Sequence, residues 1–257
     1  MTIGHAEAMR HEWDERANKD AFYYIASWRK DWNISDFLKS GDDDYNRLVV
    51  PVLEHFGFSS GDKVMIELGC GAGRMTHSFA SHFATVLAFD ASKQMIDHAR
   101  QLLKNSNNVS FLLVKGAALA GAADQCADFV FSYLVLQHLP EEQLVLRYIH
   151  EMLRVLRPDG LCLFQFNGAM RSSMNWNGRL AWGAIDALWS IRLRTLSRTL
   201  ARFLGFDPEM AGKTWHGVRI PADRILRGVR EEGGTVLEIH GVGSPMAWCC
   251  ARKARPR

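Results

Sequence analysis

Two rhythms of apolar and polar positions run along this chain, and the change from one to the other divides it into parts. From His5 to about Trp28 the text reads as helix, ending near the aromatic cluster FYYIASW. In DDDYNRLVVPVLEHF, Tyr45, Leu48, Val49, Val52, Leu53 and Phe56 recur at three- and four-residue spacing, which predicts a second helical stripe. Asp42 to Asp44 suit the N-terminus of that helix. Pro51 inside it predicts a kink.

Short apolar runs then alternate with helical stripes. Lys63–Leu68, Thr85–Phe89, Val109–Val114, Asp128–Leu134 and Leu161–Phe166 read as strands. Arg74–Phe83, Ser92–Asn105 and Glu141–Leu156 read as helices, and Arg157-Pro158-Asp159-Gly160 as a turn. Apolar strands in a βαβα order predict a parallel sheet covered on both faces. The rhythm breaks after Asn167. Gly178 to Leu204 reads as one long helix or two shorter ones, with Leu193, Leu196, Leu200, Phe203 and Leu204 on one side. A helix near Pro221–Glu232 and two strands, TVLEIHG and MAWCCARK, close the chain; the short connection between the strands fits an antiparallel pair.

This pattern predicts three parts: a helical lid over residues 1–60, a core made of 61–167 and 215–257, and a helical cap inserted at 168–214. A chain of 257 residues is long enough for one such core with an insertion. With 47% hydrophobic and 23% charged residues, composition is that of a soluble globular protein. No apolar run approaches the roughly 18 residues of a membrane span, and MTIGHAEAMRHEWDER lacks the apolar core of a signal peptide. Cys70, Cys126, Cys162, Cys249 and Cys250 form no CxxC pair, so neither a zinc site nor a disulfide framework is expected. A cytoplasmic location follows as the simplest expectation.

Charge changes the picture in one region. Six arginines (171, 179, 192, 194, 198 and 202) stand against the single acid Asp186 between Gly168 and Gly205. They read either as a solvated helix face or as a surface for an anionic partner.

The chemistry concentrates in VMIELGCGAGRMT, Val64–Thr76. A dinucleotide loop reads GxGxxG; here Gly69, Gly71 and Gly73 give GxGxG followed by Arg74. Glu67 stands at the carboxyl end of the strand, where open α/β sheets bind ligands. A carboxylate there repels a phosphate and attracts an ammonium group. The glycines still admit close backbone approach, and a helix starting near Arg74 offers N–H groups to a carboxylate. In TVLAFDAS, Asp90 ends the second strand, where an acid can bind a ribose diol. The combination asks for an amino acid joined to a nucleoside, without phosphates. Capping by Glu67, capping by Asp90 and a plain tight turn are the structural alternatives.

These residues resemble those of class I S-adenosylmethionine-dependent methyltransferases. ELGCGAGRM is similar to the family's first motif and AFDAS to its second; CADFVFSYLVLQHLP and MLRVLRPDGLCLFQF resemble the segments around its fourth and fifth strands. The likeness spans roughly residues 60–167 and, more loosely, 215–253. It implies a Rossmann-like, doubly wound sheet of seven strands in the order 3-2-1-4-5-7-6, with the last strand antiparallel. It implies S-adenosylmethionine as cofactor, held by Glu67, Gly69, Cys70, Gly71, Gly73, Arg74, Asp90, Ala91, Met95, Leu134 and Gln137. One departure stands out. The family commonly has an acid after the third strand that meets the adenine amino group; VKGAALAG has Ala117 there. Adenine is then expected against Gly116, the backbone of Ala117 and Ala118, and Leu119.

Methyl transfer from a sulfonium is an in-line displacement in which alignment does much of the work. A hydroxyl acceptor must also lose a proton, and histidine is a good base near neutral pH. His138, after the fourth strand, is the first candidate and His216 the second, each with a structural role as its alternative. Tyr23, Tyr24, Trp28, Trp176 and Trp182 are candidate acceptor contacts, with core packing as theirs. The expected partner is a small-molecule acceptor with apolar and anionic parts, methylated on oxygen rather than nitrogen. Nucleic acid, a bound metal and stable membrane insertion are not expected, and the sequence sets no oligomeric state. A non-catalytic S-adenosylmethionine-binding regulator, a nucleic-acid methyltransferase and a nicotinamide oxidoreductase are the competing readings.

Overall fold

A computed structural model describes residues 2–169, 193–204 and 217–255, with seven positions between 180 and 188. Helix α1 spans Thr2–Ile25 and kinks at Asp20, whose backbone leaves the helical region. Helix α2 (Ile34–Asp44) leads through a π-helical turn at Tyr45–Val49 into α3 (Val50–His55). The predicted kink therefore takes the form of a π turn just before Pro51, where the ring removes an N–H and crowds the preceding carbonyl. Asp42 to Asp44 do not begin a helix here. They end α2, where Asp44 pairs with Arg74 and Arg47, and Asp42 accepts a hydrogen bond from Ser78 Oγ.

Seven strands follow in one sheet: β1 (Val64–Leu68), β2 (Thr85–Asp90), β3 (Val109–Leu113), β4 (Ala127–Ser132), β5 (Leu156–Phe166), β6 (Gly234–His240) and β7 (Ala247–Lys253). Their spatial order is β3-β2-β1-β4-β5-β7-β6, as the resemblance implies. The first five run parallel, and β7 is antiparallel to both neighbours. The predicted turn at 157–160 is embedded in β5. Ala127 pairs with Leu156 and Phe129 with Leu161, so the four residues between bulge out, with Asp159 at φ 66°.

Helices α4 (Thr76–His82), α5 (Lys93–Leu102), α6 (Glu142–Val155), α7 (Arg194–Phe203) and α8 (Ala222–Glu231) follow along the chain. The central strands β1, β4 and β5 are largely buried because both faces are covered. On one face α6 turns Leu144, Val145, Tyr148, Ile149 and Met152 inward. On the other, Phe79 and Phe83 pack on Phe129 and Phe131. The N-terminal α1 packs on α5. Helix α7 departs from its apolar stripe: it buries Ser197 and Ala201 and leaves Leu196 and Phe203 exposed. No described helix is long and apolar enough to cross a membrane.

Candidate active site

The order of the strands brings the chemistry to one edge. Glu67 faces Ala88 on one side and Phe131 on the other, and Asp90 is the last residue of β2. Both carboxylates therefore sit at the carboxyl ends of adjacent central strands. Between them the chain turns at Gly69 and Gly71, with φ of 82° and 53°. A Cβ at Gly69 would lie 2.0 Å from Val135 Cγ2, and one at Gly71 would lie 2.5 Å from Ile25 Cδ1. Only glycine fits this tight, left-handed path.

A cavity of about 520 Å³ opens over the loop, within the range of small-ligand sites. It is lined by ten of the predicted residues: Glu67, Gly69, Cys70, Gly71, Arg74, Asp90, Ala91, Met95, Leu134 and Gln137. Tyr24, Trp28 and His138 line it too.

Other predicted residues lie elsewhere. Gly73 (φ 91°) turns toward α5, where an added Cβ would press on Leu103 and Ala99; it serves helix packing. Gly116, Ala117 and Ala118 form a turn closed by Lys115 and Ala118 and are not in the lining. Val114 and Tyr148 line the cavity from that side, and the Tyr148 hydroxyl donates to Gly116 O at 3.3 Å. Leu119 is fully buried in the core beneath. Tyr23 is buried edge-on against Tyr24 and does not reach the lining. His216, Trp176 and Trp182 lie outside the described residues.

Local bonds fix each group. Glu67 is buried and accepts a hydrogen bond from Thr76 Oγ at 2.6 Å. Burial pushes its carboxyl up to about 7; the Thr76 bond and nearby Arg74 oppose this and Asp90 adds to it. Asp90 takes N–H bonds from Gly71 and Ser92, each at 2.8 Å. Desolvation still pushes it up to about 6 against those bonds. Asp90 is not the cap of α5. Ser92 is, accepting from Met95 N, while its own hydroxyl donates to Asp14 of α1 at 2.7 Å.

Arg74 is buried before α4 rather than within it. One terminal nitrogen pairs with Asp44 at 2.8 Å, the other donates to Ser40 O at 2.9 Å, and Nε has no partner. Helix α1 adds Met9, Trp13 and Ile25 to the cavity wall, three residues that sequence reasoning did not single out. The Trp13 ring meets His138 edge-on at 5.4 Å. His138 ends a 3₁₀ turn just past β4. Before it, Leu134 holds a left-handed φ of 59°, rare for a leucine and concentrated at functional sites.

Residues 66–164 match the family described as a methyltransferase domain. Over 134 residues the chain is 29% identical to the ubiquinone biosynthesis O-methyltransferase of Nitrosomonas europaea, covering 51% of this chain and 53% of that protein. The chain thus spans about half the length of this curated relative. Among solved structures, it resembles the magnesium protoporphyrin IX methyltransferase of Synechocystis PCC 6803, with a TM-score of 0.60 and 17% identity over 96% of this chain and 99% of that one. It also resembles the [4+2]-cyclase SpnF, with a TM-score of 0.55 and 16% identity over 85% and 82%. At such identities these likenesses bear on fold alone. The domain match and the strand order point the same way: residues 66–164 match a methyltransferase domain, and they sit in a seven-stranded sheet with the strand order implied by the resemblance to class I S-adenosylmethionine-dependent methyltransferases.

Proposed function

We propose that the cavity over the glycine loop binds S-adenosylmethionine and that the chain methylates a hydroxyl of a small-molecule acceptor. The observation that carries this reading is the pair Glu67 and Asp90, two carboxylates at one glycine-lined cavity. Burial that disfavours their charge is relieved by a cation beside Glu67 and by hydroxyl donors at Asp90. The unpartnered Nε of buried Arg74 adds a donor for a carboxylate. The residues thus fit a ligand with an ammonium, a carboxylate and a diol, and they do not fit a pyrophosphate.

In this reading Glu67 holds the ammonium, Arg74 the carboxylate and Asp90 the ribose hydroxyls. Ala91, Met95, Val114 and Tyr148 supply apolar surface and a hydroxyl for the base, in place of the missing acid at Ala117. When bound, S-adenosylmethionine supplies an electrophilic methyl on a sulfonium. The chain's own tasks are then alignment and proton removal. His138 takes the proton from the acceptor hydroxyl. Trp13, Tyr24 and Trp28 form an aromatic wall suited to an acceptor with a flat apolar part. The lid of residues 1–60, the cap of 168–214, the role of His216 and a cytoplasmic site of action belong to the same proposal. The O-methyltransferase name of the Nitrosomonas relative supports oxygen over nitrogen as the acceptor atom.

The test is transfer of isotope-labelled methyl to a panel of phenols, aliphatic alcohols and amines, read by mass spectrometry. Labelled ethers with wild-type protein, reduced at least tenfold in His138→Ala, are the expected result. Labelled amines alone would refute hydroxyl acceptance. A second reading, a chain that binds the cofactor without transferring methyl, rests on Ala117, which stands where the family commonly has an acid. It predicts cofactor uptake with no labelled product from any acceptor.

A further inference from the structure

Gln165 is fully buried near the end of β5 and is hydrogen-bonded on both sides of its amide. Its Oε1 accepts from Leu134 N at 3.2 Å, and its Nε2 donates to Pro245 O at 2.8 Å. A backbone N–H can only donate and a backbone carbonyl can only accept. The two backbone groups therefore fix which way this amide points. The second Nε2 hydrogen goes to Gln137 Oε1 at 3.0 Å. That contact fixes the next amide in turn, so Gln137 presents its NH₂ group to His138 Nε2 at 3.2 Å. An NH₂ group only donates, so Nε2 of the ring has to accept.

We propose that Gln165, acting through Gln137, is a positioning residue that sets His138 in the Nδ1–H tautomer, with Nε2 unprotonated and accepting. Two glutamines thus carry an orientation from the backbone of two loops to a histidine that lines the cavity. The edge-on Trp13 ring packs against the imidazole. At 3.2 Å the amide contact is a long hydrogen bond, one that an entering hydroxyl can replace as partner of the Nε2 lone pair. The consequence for catalysis rests on reading His138 as the proton acceptor; the tautomer itself does not.

The experiment is two-bond ¹H–¹⁵N NMR of the histidine rings in the full chain, at alkaline pH and without cofactor or acceptor. The His138 signal is assigned by its loss in His138→Gln. The expected wild-type pattern has hydrogen on Nδ1 and a pyridine-type Nε2. In Gln137→Glu the ring faces an acceptor, so hydrogen is expected to move onto Nε2. Gln165→Glu should do the same by letting Gln137 turn over. Gln137 is only partly buried, which keeps the test open if the buried Gln165 variant does not fold. An Nε2–H ring in the wild-type chain, or an unchanged ring in Gln137→Glu, would overturn the proposal. The expected tautomer without any His138-dependent methyl transfer would sink the base assignment and leave the relay standing.

Discussion

Asp90 Oδ2 accepts a hydrogen bond from Gly71 N–H at 2.8 Å, which ties the end of β2 to the loop after β1. Its other oxygen holds Ser92 N. One carboxylate therefore braces the glycine turn and the start of α5 while keeping lone pairs for a ligand. Replacing Asp90 with Ala removes all of these bonds. Hydrogen bonds to charged groups are worth about 1.5–3 kcal/mol each. Cofactor affinity is expected to fall by about ten- to a hundredfold or more, measured by titration calorimetry, while Asp90→Asn retains part of it.

Binding should depend on pH through the same pair. With Glu67 pushed up to about 7 and Asp90 to about 6, acid protonates both groups before a cation arrives. Cofactor affinity is expected to drop as pH falls from 8 to 5.5. Calorimetry in buffers of different ionisation enthalpy should register proton release near pH 6.5. In Glu67→Gln that release should shrink, and affinity at pH 8 should fall. The sign for stability runs the other way. A carboxyl raised above its unfolded value stabilises the fold below that value and loses the contribution as pH rises through the folded one. The unliganded chain thus loses the Glu67 contribution between about pH 4.5 and 7 and the Asp90 contribution between about pH 3.8 and 6, and the ligand-induced rise in Tm is expected to be larger at pH 8 than at 5.5.

Gly69 admits no side chain. Its φ of 82° and the 2.0 Å approach of an added Cβ to Val135 combine strain with overlap. Gly69→Ala is expected to destabilise the fold by about 1–3 kcal/mol and to abolish tight cofactor binding. Gly73→Ala meets the movable Leu103 Cδ1 at 3.2 Å and the fixed Ala99 Cβ at 3.3 Å. It should cost stability through its φ of 91° while sparing more of the affinity. Thermal melts and calorimetry on the two variants read the difference.

Asp14 ties the N-terminal helix to the site, since its Oδ1 accepts from Ser92 Oγ and from Gln94 N. Asp14→Ala removes both bonds. By analogy with lost helix caps this costs about 1 kcal/mol, felt where α1 meets α5. Faster amide hydrogen exchange along α1 is expected, with a smaller change in the central strands. Uniform acceleration across the sheet would mean that Asp14 supports the whole fold.

Much of this was legible in local pattern. Continuous apolar runs such as FVFSYL announced strands buried on both faces, and Glu67 and Asp90 stood at strand ends where the sheet exposes them to one edge. What escaped depended on distant partners. Trp13 lines the cavity only because α1 packs back on α5, more than seventy residues away in sequence. Tyr148 lies on the apolar stripe of α6, and nothing in that stripe says that its hydroxyl reaches the cavity side. Arg74 pairs with Asp44, an acid whose sequence neighbourhood suggested a helix start. Gly73 looked like a third ligand glycine because its spacing fits a motif; its contact with Ala99 and Leu103 makes it a packing glycine.

The account stands or falls on whether the paired carboxylates receive a zwitterionic nucleoside. The most direct measurement is calorimetric titration of the purified chain at pH 8 with S-adenosylhomocysteine, and separately with NAD. One-to-one binding of the first, weakened in Glu67→Gln, and none of the second is the predicted result. No heat with S-adenosylhomocysteine, or tight binding of NAD instead, would contradict it.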